Sequence, residues 1–167
     1  MRDDLSKVAQ SEVHITLRLP EVFPDYRLSE PEGICLDGIE IHTDSYSYNP
    51  VVLSCKNEQI QECVYSNLLR SNCPVTGQPD WGTVIISYTG RLISHSGILR
   101  YIISFREHTG FHESCVEQIF VDLMQHCNPE KLSVYARFTR RGGLDINPFR
   151  TTAESFDLPD NFRTARQ

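Results

Sequence analysis

The stretch FHESCVEQIFVDLMQHCNPEKLSVYARF, residues 111–138, decides the fold class. Over residues 111–127 the apolar side chains recur every three or four positions, which predicts a helix with one broad apolar face. Over residues 132–138 apolar and polar side chains alternate, which predicts a strand that is buried on one face. A helix followed closely by a half-buried strand predicts an α+β domain.

Segments on both sides of this stretch extend the pattern. Residues 1–10 resemble the end of a helix, and alternation predicts strands over residues 13–19, 39–41 and 83–88. A further strand is predicted over residues 98–105, with a helix as the alternative. Asn57 is suited to capping a helix that runs to about Arg70. Prolines and glycines predict loops over residues 20–33 and 71–81, a turn over residues 140–147, and an extended tail from Arg150.

Composition limits the possible functions. The chain has 167 residues, 40% of them apolar and 23% charged, which suits one domain or slightly more. A net charge of −6 argues against direct binding of nucleic acid. The sequence has neither an apolar run long enough for a membrane span nor the apolar segment of a signal peptide. Its six cysteines include no CxxC pair, so we expect reduced thiols in a cytoplasmic protein.

Two side chains in the loop of residues 71–81 can do chemistry. Cys73 stands before Pro74, which disfavours helical geometry and places the thiol in a stiff loop. A thiolate is a strong nucleophile, although a free cysteine is more often a buried structural residue. Asp80 can give or take a proton at a reacting nitrogen, and its ordinary alternative is a carboxylate that stabilises a turn.

His112 and Glu113 lie in the first turn of the predicted helix, where free backbone N–H groups favour an anionic Glu and a neutral His. His112 falls on the apolar face, where a histidine is usually a satisfied core residue. His112 and Cys115, three residues apart, could bind zinc together with Cys73, but this spacing is a weak signal.

The turn of residues 140–143 contains two arginines followed by two glycines. Arginine side chains and the N–H groups of a glycine-rich turn suit a phosphate group, whereas a solvated hairpin end is the alternative. The sequence contains no GxGxxG motif and no P-loop, so any dinucleotide would bind outside a Rossmann frame.

Four stretches, taken together and in this order, resemble the NADPH-dependent 7-cyano-7-deazaguanine reductases, the nitrile reductases of queuosine biosynthesis. They are SNCPVTGQPDW at residues 71–81, SFR at 104–106, GFHE at 110–113 and FTRRGGLDINP at 138–148. The resemblance covers most of the chain from about residue 34. Stretches of this length are far more specific than any single constellation above.

The resemblance implies a tunnelling fold, in which small modules pair into barrels and each module is an antiparallel sheet with helices packed on one face. This family has a one-module form and a two-module form, and the chain resembles the second module of the latter. Residues 1–19 are then expected to be the remnant of a preceding module, residues 20–33 a linker and residues 34–167 the catalytic module. A homo-oligomer is also expected, because a missing module leaves sheet edges exposed.

The resemblance also assigns roles to residues around the substrate, 7-cyano-7-deazaguanine. Cys73 would attack the nitrile carbon and form a covalent thioimide, and Asp80 would donate a proton to the nitrile nitrogen. His112 would assist proton transfer. Glu113 would accept hydrogen bonds from the N–H edge of the guanine-like ring, and Phe111 would stack on that ring. The reaction would use two NADPH molecules and would require no metal.

Cofactor binding by this chain is assigned to Arg141 and Gly142, which would meet a phosphate of NADPH. The family's NADPH signature, Glu-Ser-Lys-Ser-x-Lys, precedes the Ser-Phe-Arg segment in the short form, but here residues 94–99 read SHSGIL. In the long form the signature lies in the first module. Two alternatives therefore accompany the reductase hypothesis: a substrate-binding half-enzyme that needs the first module, and a zinc hydrolase of the same fold, similar to GTP cyclohydrolase.

Overall fold

The computed structural model describes residues 1–25, 28–155, 159, 161–164 and 167. These residues form an α+β structure with three α-helices and one five-stranded sheet, so the predicted fold class is confirmed. In chain order the elements are α1 (Arg2–Ala9), β1 (Ile34–Cys35), β2 (Cys55–Asn72), β3 (Pro79–Ile93), α2 (His95–Ile103), α3 (His112–Cys127), β4 (Lys131–Phe138) and β5 (Phe149–Thr151). Short 3-10 helices occupy Pro20–Asp25, Pro50–Val52 and Ser104–Glu107.

The sheet follows the order β1-β2-β3-β4-β5, and each strand from β2 to β5 is antiparallel to the next. This agrees with the expected antiparallel sheet. The two-residue strand β1 adds a parallel edge, where Ile34 lies opposite Val64. The long strands β2 and β3 form a hairpin whose last pair, Asn72 opposite Pro79, leaves residues 73–78 as the connecting turn.

Helices α2 and α3 cover one face of the sheet. Alternate residues of β3 and β4 point into the core beneath them, because side chains in a strand alternate between the two faces. The buried core residues of these two strands are Val84, Ile86, Tyr88, Ile93, Leu132, Val134, Ala136 and Phe138. None of the helices in the described ranges is both long enough and apolar enough to cross a membrane.

Residues 57–70 do not form the predicted helix, because they lie within β2. The register of β2 against β3 shifts between Ser66 and Leu69, which marks a β-bulge. An extra residue in one strand shifts the alternation of inward and outward side chains. The apolar residues Ile60, Cys63, Val64 and Leu68 have the spacing of one helix face, but pairing with β3 overrides this local helical tendency.

Residues 98–105 are also not a strand, because α2 and the following 3-10 helix occupy this segment. Six of the nine residues of α2 are buried. A helix that is buried nearly all round has a continuous apolar sequence, which periodicity alone does not distinguish from a buried strand. The side chain of Ser94 accepts a hydrogen bond from the backbone N–H of Gly97, and this cap starts the helix.

Two further predicted strands are absent. Residues 13–19 and 39–41 have no strand structure, whereas the helix at residues 1–10 and the strands at 83–88 and 132–138 are confirmed. Alternation identifies a strand only when a neighbouring strand supplies hydrogen-bond partners. Ile39 lies in a turn, where its N–H donates to the carbonyl of Leu36, and its side chain packs against the core. The division into residues 1–19, 20–33 and 34–167 stays a prediction.

Candidate active site

The turn between β2 and β3 presents Cys73. The backbone N–H of Cys73 donates to the carbonyl of Gln78 at 2.9 Å, and the N–H of Gly77 donates back to the carbonyl of Cys73 at 2.9 Å. Gly77 has a φ of 68°, a left-handed conformation that glycine adopts with little strain. The loop predicted over residues 71–81 is therefore a short closed turn between two paired strands.

The environment of Cys73 lowers the pKa of its thiol. The largest cause is a hydrogen bond with the Thr76 side chain, and the backbone of Thr76 and Val75 adds further hydrogen bonds. The positive charge of Arg141 contributes a smaller effect, and partial burial opposes these three. A partly exposed thiol with a lowered pKa is the arrangement expected of a reactive cysteine.

Asp80 lies at the start of β3, directly across from Ser71 on β2. Its side chain is almost completely buried, with 3% of the residue exposed. One carboxylate oxygen, Oδ1, lies 2.6 Å from Nη2 of Arg141 and 3.3 Å from Nε2 of His112. The structure therefore brings Asp80, His112 and Arg141 into one cluster beside the Cys73 turn.

His112 is the first residue of α3, and its ring is fixed on two sides. The ring stacks on Phe138 with 3.9 Å between centroids and 4° between planes. Its Nε2 faces Asp80, while Nδ1 is buried and has no hydrogen-bond partner among the described residues. A buried ring nitrogen without a partner is uncommon in a folded protein. His112 is thus neither an exposed residue nor a fully satisfied core histidine.

Asn72, the last residue of β2, forms hydrogen bonds with the segment that precedes α3. Asn72 donates its backbone N–H to the carbonyl of His108 at 2.9 Å and accepts from the N–H of Gly110 at 3.1 Å. Its side-chain amide donates to the carbonyl of Arg106 at 3.1 Å. These bonds attach the segment that precedes α3 to the strand that precedes Cys73. The first turn of α3 and the Cys73 turn are therefore held at the same end of the sheet.

Phe111 and Glu113 flank His112 at the beginning of α3. Both are exposed, and 58% of the surface of Phe111 is accessible. An exposed aromatic ring next to buried polar groups can stack on a planar ligand, and a carboxylate in the first turn of a helix is favoured electrostatically. The structure places both residues next to His112 in the chain, at the exposed beginning of α3.

Arg141 begins a tight turn. Its backbone N–H donates to the carbonyl of Leu144 at 2.8 Å, and the N–H of Leu144 donates back at 3.0 Å. Gly142 and Gly143 have φ values of 56° and 83°, and a Cβ atom at either position would meet nothing within 4 Å. The backbone of this turn is therefore open to a ligand such as a phosphate group. The guanidinium of Arg141, in contrast, points inward to Asp80.

Several residues of the site were not identified from the sequence. The Thr76 hydroxyl next to the Cys73 thiol could have been found, because the two residues are three apart in a turn. The Phe138 ring beneath His112 and the buried hydroxyl of Ser71 are brought to the site by strand pairing, which the sequence alone does not specify. Cys115 is completely buried, and burial raises the pKa of its thiol.

The zinc alternative finds no geometric support. In the described ranges, no three side chains of the His, Cys, Asp or Glu type lie close enough together to hold a metal ion. His112 directs one nitrogen to Asp80, and Cys115 lies in the core. The arrangement suits covalent and proton-transfer chemistry more than metal coordination.

Residues 94–99, where the short-form NADPH signature would lie, form the start of α2. A Cβ atom at Gly97 would come within 2.8 Å of the carbonyl oxygen of Val52, so this segment is packed against its neighbour. Residues 94–99 are therefore used for packing, whereas the backbone of the turn at Gly142 is open.

The comparisons with known proteins concern the chain as a whole. Residues 79–156 match the family model described as QueF-like protein. The chain is 56% identical over its whole length to the NADPH-dependent 7-cyano-7-deazaguanine reductase of Desulfotalea psychrophila, and it covers 60% of that protein. It is 53% identical to the enzyme of the same name from Burkholderia vietnamiensis, of which it covers 61%. The chain thus spans about three fifths of the length of these curated relatives.

A solved structure supports the fold. The crystal structure of the archaeosine synthase QueF-Like in the apo form superposes with a TM-score of 0.50 at 16% identity, over 62% of this chain and 99% of the other. This similarity confirms the tunnelling fold and carries no information about activity. The chain is therefore similar in fold to a QueF-like protein, and over its own whole length it is similar in sequence to the curated reductases.

Proposed function

We propose that this chain is the part of a 7-cyano-7-deazaguanine reductase that captures the substrate covalently. In this proposal the nitrile becomes an aminomethyl group at the expense of two NADPH molecules, as a step of queuosine biosynthesis. The observation that carries it is the Cys73 thiol, whose pKa is lowered, next to the buried cluster of Asp80 and His112. The names of the curated relatives support the choice of substrate and cofactor.

In the first step the thiolate of Cys73 attacks the nitrile carbon. A carbon–sulfur bond forms, one π bond of the nitrile breaks, and its electron pair moves to nitrogen. Asp80, which has taken the proton of the Cys73 thiol, delivers it to that nitrogen, so the product is a neutral thioimide and Asp80 returns to its carboxylate form. The overall balance is that the proton of the thiol ends on nitrogen, and no oxidant or reductant is consumed. Covalent capture divides a difficult reduction into easier steps.

The reduction then needs hydride and protons. When bound, NADPH supplies one hydride to the carbon of the substrate in each of two rounds. His112 and Asp80, which are 3.3 Å apart, form the route by which protons reach the substrate nitrogen. After the first reduction the carbon–sulfur bond breaks and Cys73 leaves as a thiolate, which the hydrogen bonds from residues 75 and 76 stabilise.

The base of the substrate is recognised at the start of α3. Glu113 accepts hydrogen bonds from the N–H edge of the guanine-like ring, and the exposed ring of Phe111 stacks on its face. Arg141 and Gly142 meet a phosphate of the cofactor, which the open backbone of their turn supports. We further propose a cytoplasmic homo-oligomer that acts on the free base. The net charge of −6 supports a small-molecule substrate over direct contact with nucleic acid.

Two observations favour a second candidate. Residues 94–99 are packed into the start of α2, and the chain spans about three fifths of its curated relatives. In this alternative the chain binds and captures the substrate but completes the reduction only with the rest of the parent protein.

A turnover assay tests the proposal. The protein is incubated with 7-cyano-7-deazaguanine and NADPH, and both NADPH consumption and the aminomethyl product are measured. We expect two NADPH per product, and a rate that falls by about 10² to 10⁴ in Asp80→Asn, the usual effect of losing a general acid. Asp44→Asn is the matched control, since Asp44 is exposed in a loop. A covalent adduct without NADPH consumption supports the half-enzyme. If neither an adduct nor a product forms, both candidates are contradicted.

A further inference from the structure

We infer that Arg141 is a positioning residue for the covalent step, because its side chain fastens the Cys73 turn to Asp80. Adduct formation should then depend on Arg141 even when no cofactor is present. The inference rests on the proposed function only for the identity of the substrate. It gives Arg141 a task beyond the phosphate contact proposed above.

The first argument is the reach of the guanidinium. Nη1 of Arg141 donates to Oγ1 of Thr76 at 3.3 Å. Nη2 donates to the carbonyl oxygens of Gln78 and Pro79 at 3.2 and 3.3 Å, and it lies 2.6 Å from Oδ1 of Asp80. One side chain thus contacts the middle of the Cys73 turn, at Thr76, and the start of β3, at Pro79 and Asp80. The fork of an arginine can do this, whereas the single ammonium of a lysine cannot.

The second argument is that Arg141 is itself held firmly. The strand before it, β4, pairs with β3 so that Phe138 lies opposite Gly82. The N–H of Thr139 donates to the carbonyl of Trp81 at 2.9 Å, one residue beyond Asp80. A side chain attached to a paired strand end and a closed turn can hold a neighbouring turn in place.

The third argument connects position to reactivity. Thr76 makes the hydrogen bond that most lowers the pKa of Cys73, and the same Thr76 hydroxyl accepts from Arg141. Loss of the guanidinium would release the turn and remove a positive charge that favours the thiolate. The carboxylate of Asp80 would lose its ion-pair partner at the same time. Nucleophile and proton donor would then both depart from the geometry that the covalent step needs.

If Arg141 served only a cofactor phosphate, its replacement would not affect a reaction that contains no cofactor. The test therefore omits NADPH. Arg141→Gln and Arg141→Lys are compared with the wild type and with Arg91→Lys, an exposed arginine near the far end of β3, opposite Gln59. The rate of adduct formation with 7-cyano-7-deazaguanine is followed by intact mass over a range of pH. Alkylation of Cys73 by iodoacetamide is followed in parallel by peptide mapping.

We expect Arg141→Gln to slow adduct formation by about tenfold or more, as misplaced reacting groups do, and to shift Cys73 alkylation to higher pH. Arg141→Lys should restore much of the alkylation profile, because the charge is retained, and leave adduct formation slow. Arg91→Lys should behave like the wild type. Protection of the buried Cys115 against alkylation reports that each variant is folded.

Unchanged adduct rates and unchanged pH profiles in the folded Arg141 variants would overturn the inference. A wild-type protein that forms no adduct would contradict the proposed function. In that case the alkylation profiles still decide whether Arg141 holds the Cys73 turn, so the two failures are distinguishable.

Discussion

Thr76 lies three residues after Cys73 in the same turn and is the largest cause of the lowered pKa of its thiol. Its side chain and backbone both form hydrogen bonds that lower the pKa of the thiol. The sequence places Cys73 before a proline in a stiff loop, and that prediction agrees with the structure. It does not reveal that Thr76 and Arg141 act together, because Arg141 reaches this turn only through the pairing of β3 with β4.

Thr76→Val should therefore raise the pKa of Cys73, since it removes the largest cause of the lowered value. At neutral pH the thiolate fraction falls, so alkylation of Cys73 slows and its pH profile moves upward. Thr76→Ser keeps the hydroxyl and should retain the wild-type profile. The measurement is the pH dependence of iodoacetamide labelling of the Cys73 peptide. A Thr76→Val profile that coincides with that of Thr76→Ser would show that the hydroxyl has no effect on the thiol.

Local sequence predicts some helices and strands of this protein correctly and others wrongly. The helix α3 and the strand β4 follow from periodicity because each buries one clean face. The strand β2 does not, because its bulge between Ser66 and Leu69 breaks the alternation. The helix α2 does not follow from periodicity either, but for the opposite reason. Most of its residues are buried, so its sequence has no polar face that would reveal a helical period. Both errors arise from tertiary context that a window of sequence does not contain.

The start of α2 gives a test of this packing. In Gly97→Ala the new methyl group would meet the carbonyl oxygen of Val52 at 2.8 Å and the Ser94 side chain at 3.3 Å. We expect a loss of about 1–3 kcal/mol in the free energy of unfolding, the usual cost of overpacking. Gly38→Ala is the matched control, because nothing lies within 4 Å of its Cβ position. Denaturant titration of both variants gives the comparison, and equal stabilities would refute the close contact.

The junction between β2 and α3 gives a second test. Asn72→Ala removes the amide that donates to the carbonyls of Arg106 and His108, at 3.1 and 3.4 Å. Loss of these bonds should cost about 1–3 kcal/mol. It should also speed hydrogen exchange at residues 108–113, because the segment that carries His112 is released. Exchange measured by mass spectrometry that stays at the wild-type rate in this segment would argue against an anchoring role for Asn72.

At the scale of the whole molecule, the helix-free face of the sheet is closed partly by the end of the chain. The buried Arg137 donates to Oε1 of Gln167 at 2.6 Å and to Oδ1 of Asn161 at 3.1 Å, and it also contacts the Tyr135 hydroxyl. Beside this contact lies a cleft of about 440 Å³. The sequence predicted only an extended tail here, since a single buried arginine has no periodic signature.

Arg137→Met should lower the free energy of unfolding by about 1–3 kcal/mol, because it removes the hydrogen bonds to Gln167 and Asn161 and leaves the buried hydroxyl of Tyr135 without its donor. Arg150→Met is the matched control: Arg150 pairs with Glu117 at 2.9 Å, but both side chains are about half exposed. An exposed pair of this kind contributes about 0–1 kcal/mol. Chemical denaturation distinguishes the two variants. Equal losses would mean that Arg137 does not anchor the end of the chain.

The central claim is covalent capture of a nitrile by Cys73, and intact mass spectrometry tests it most directly. The protein is incubated with 7-cyano-7-deazaguanine in the absence of NADPH, beside a Cys73→Ala variant. We expect the wild-type mass to increase by the mass of one substrate molecule and the variant mass to stay unchanged. A wild-type protein without an adduct, or a Cys73→Ala variant that still gains one, would contradict the claim.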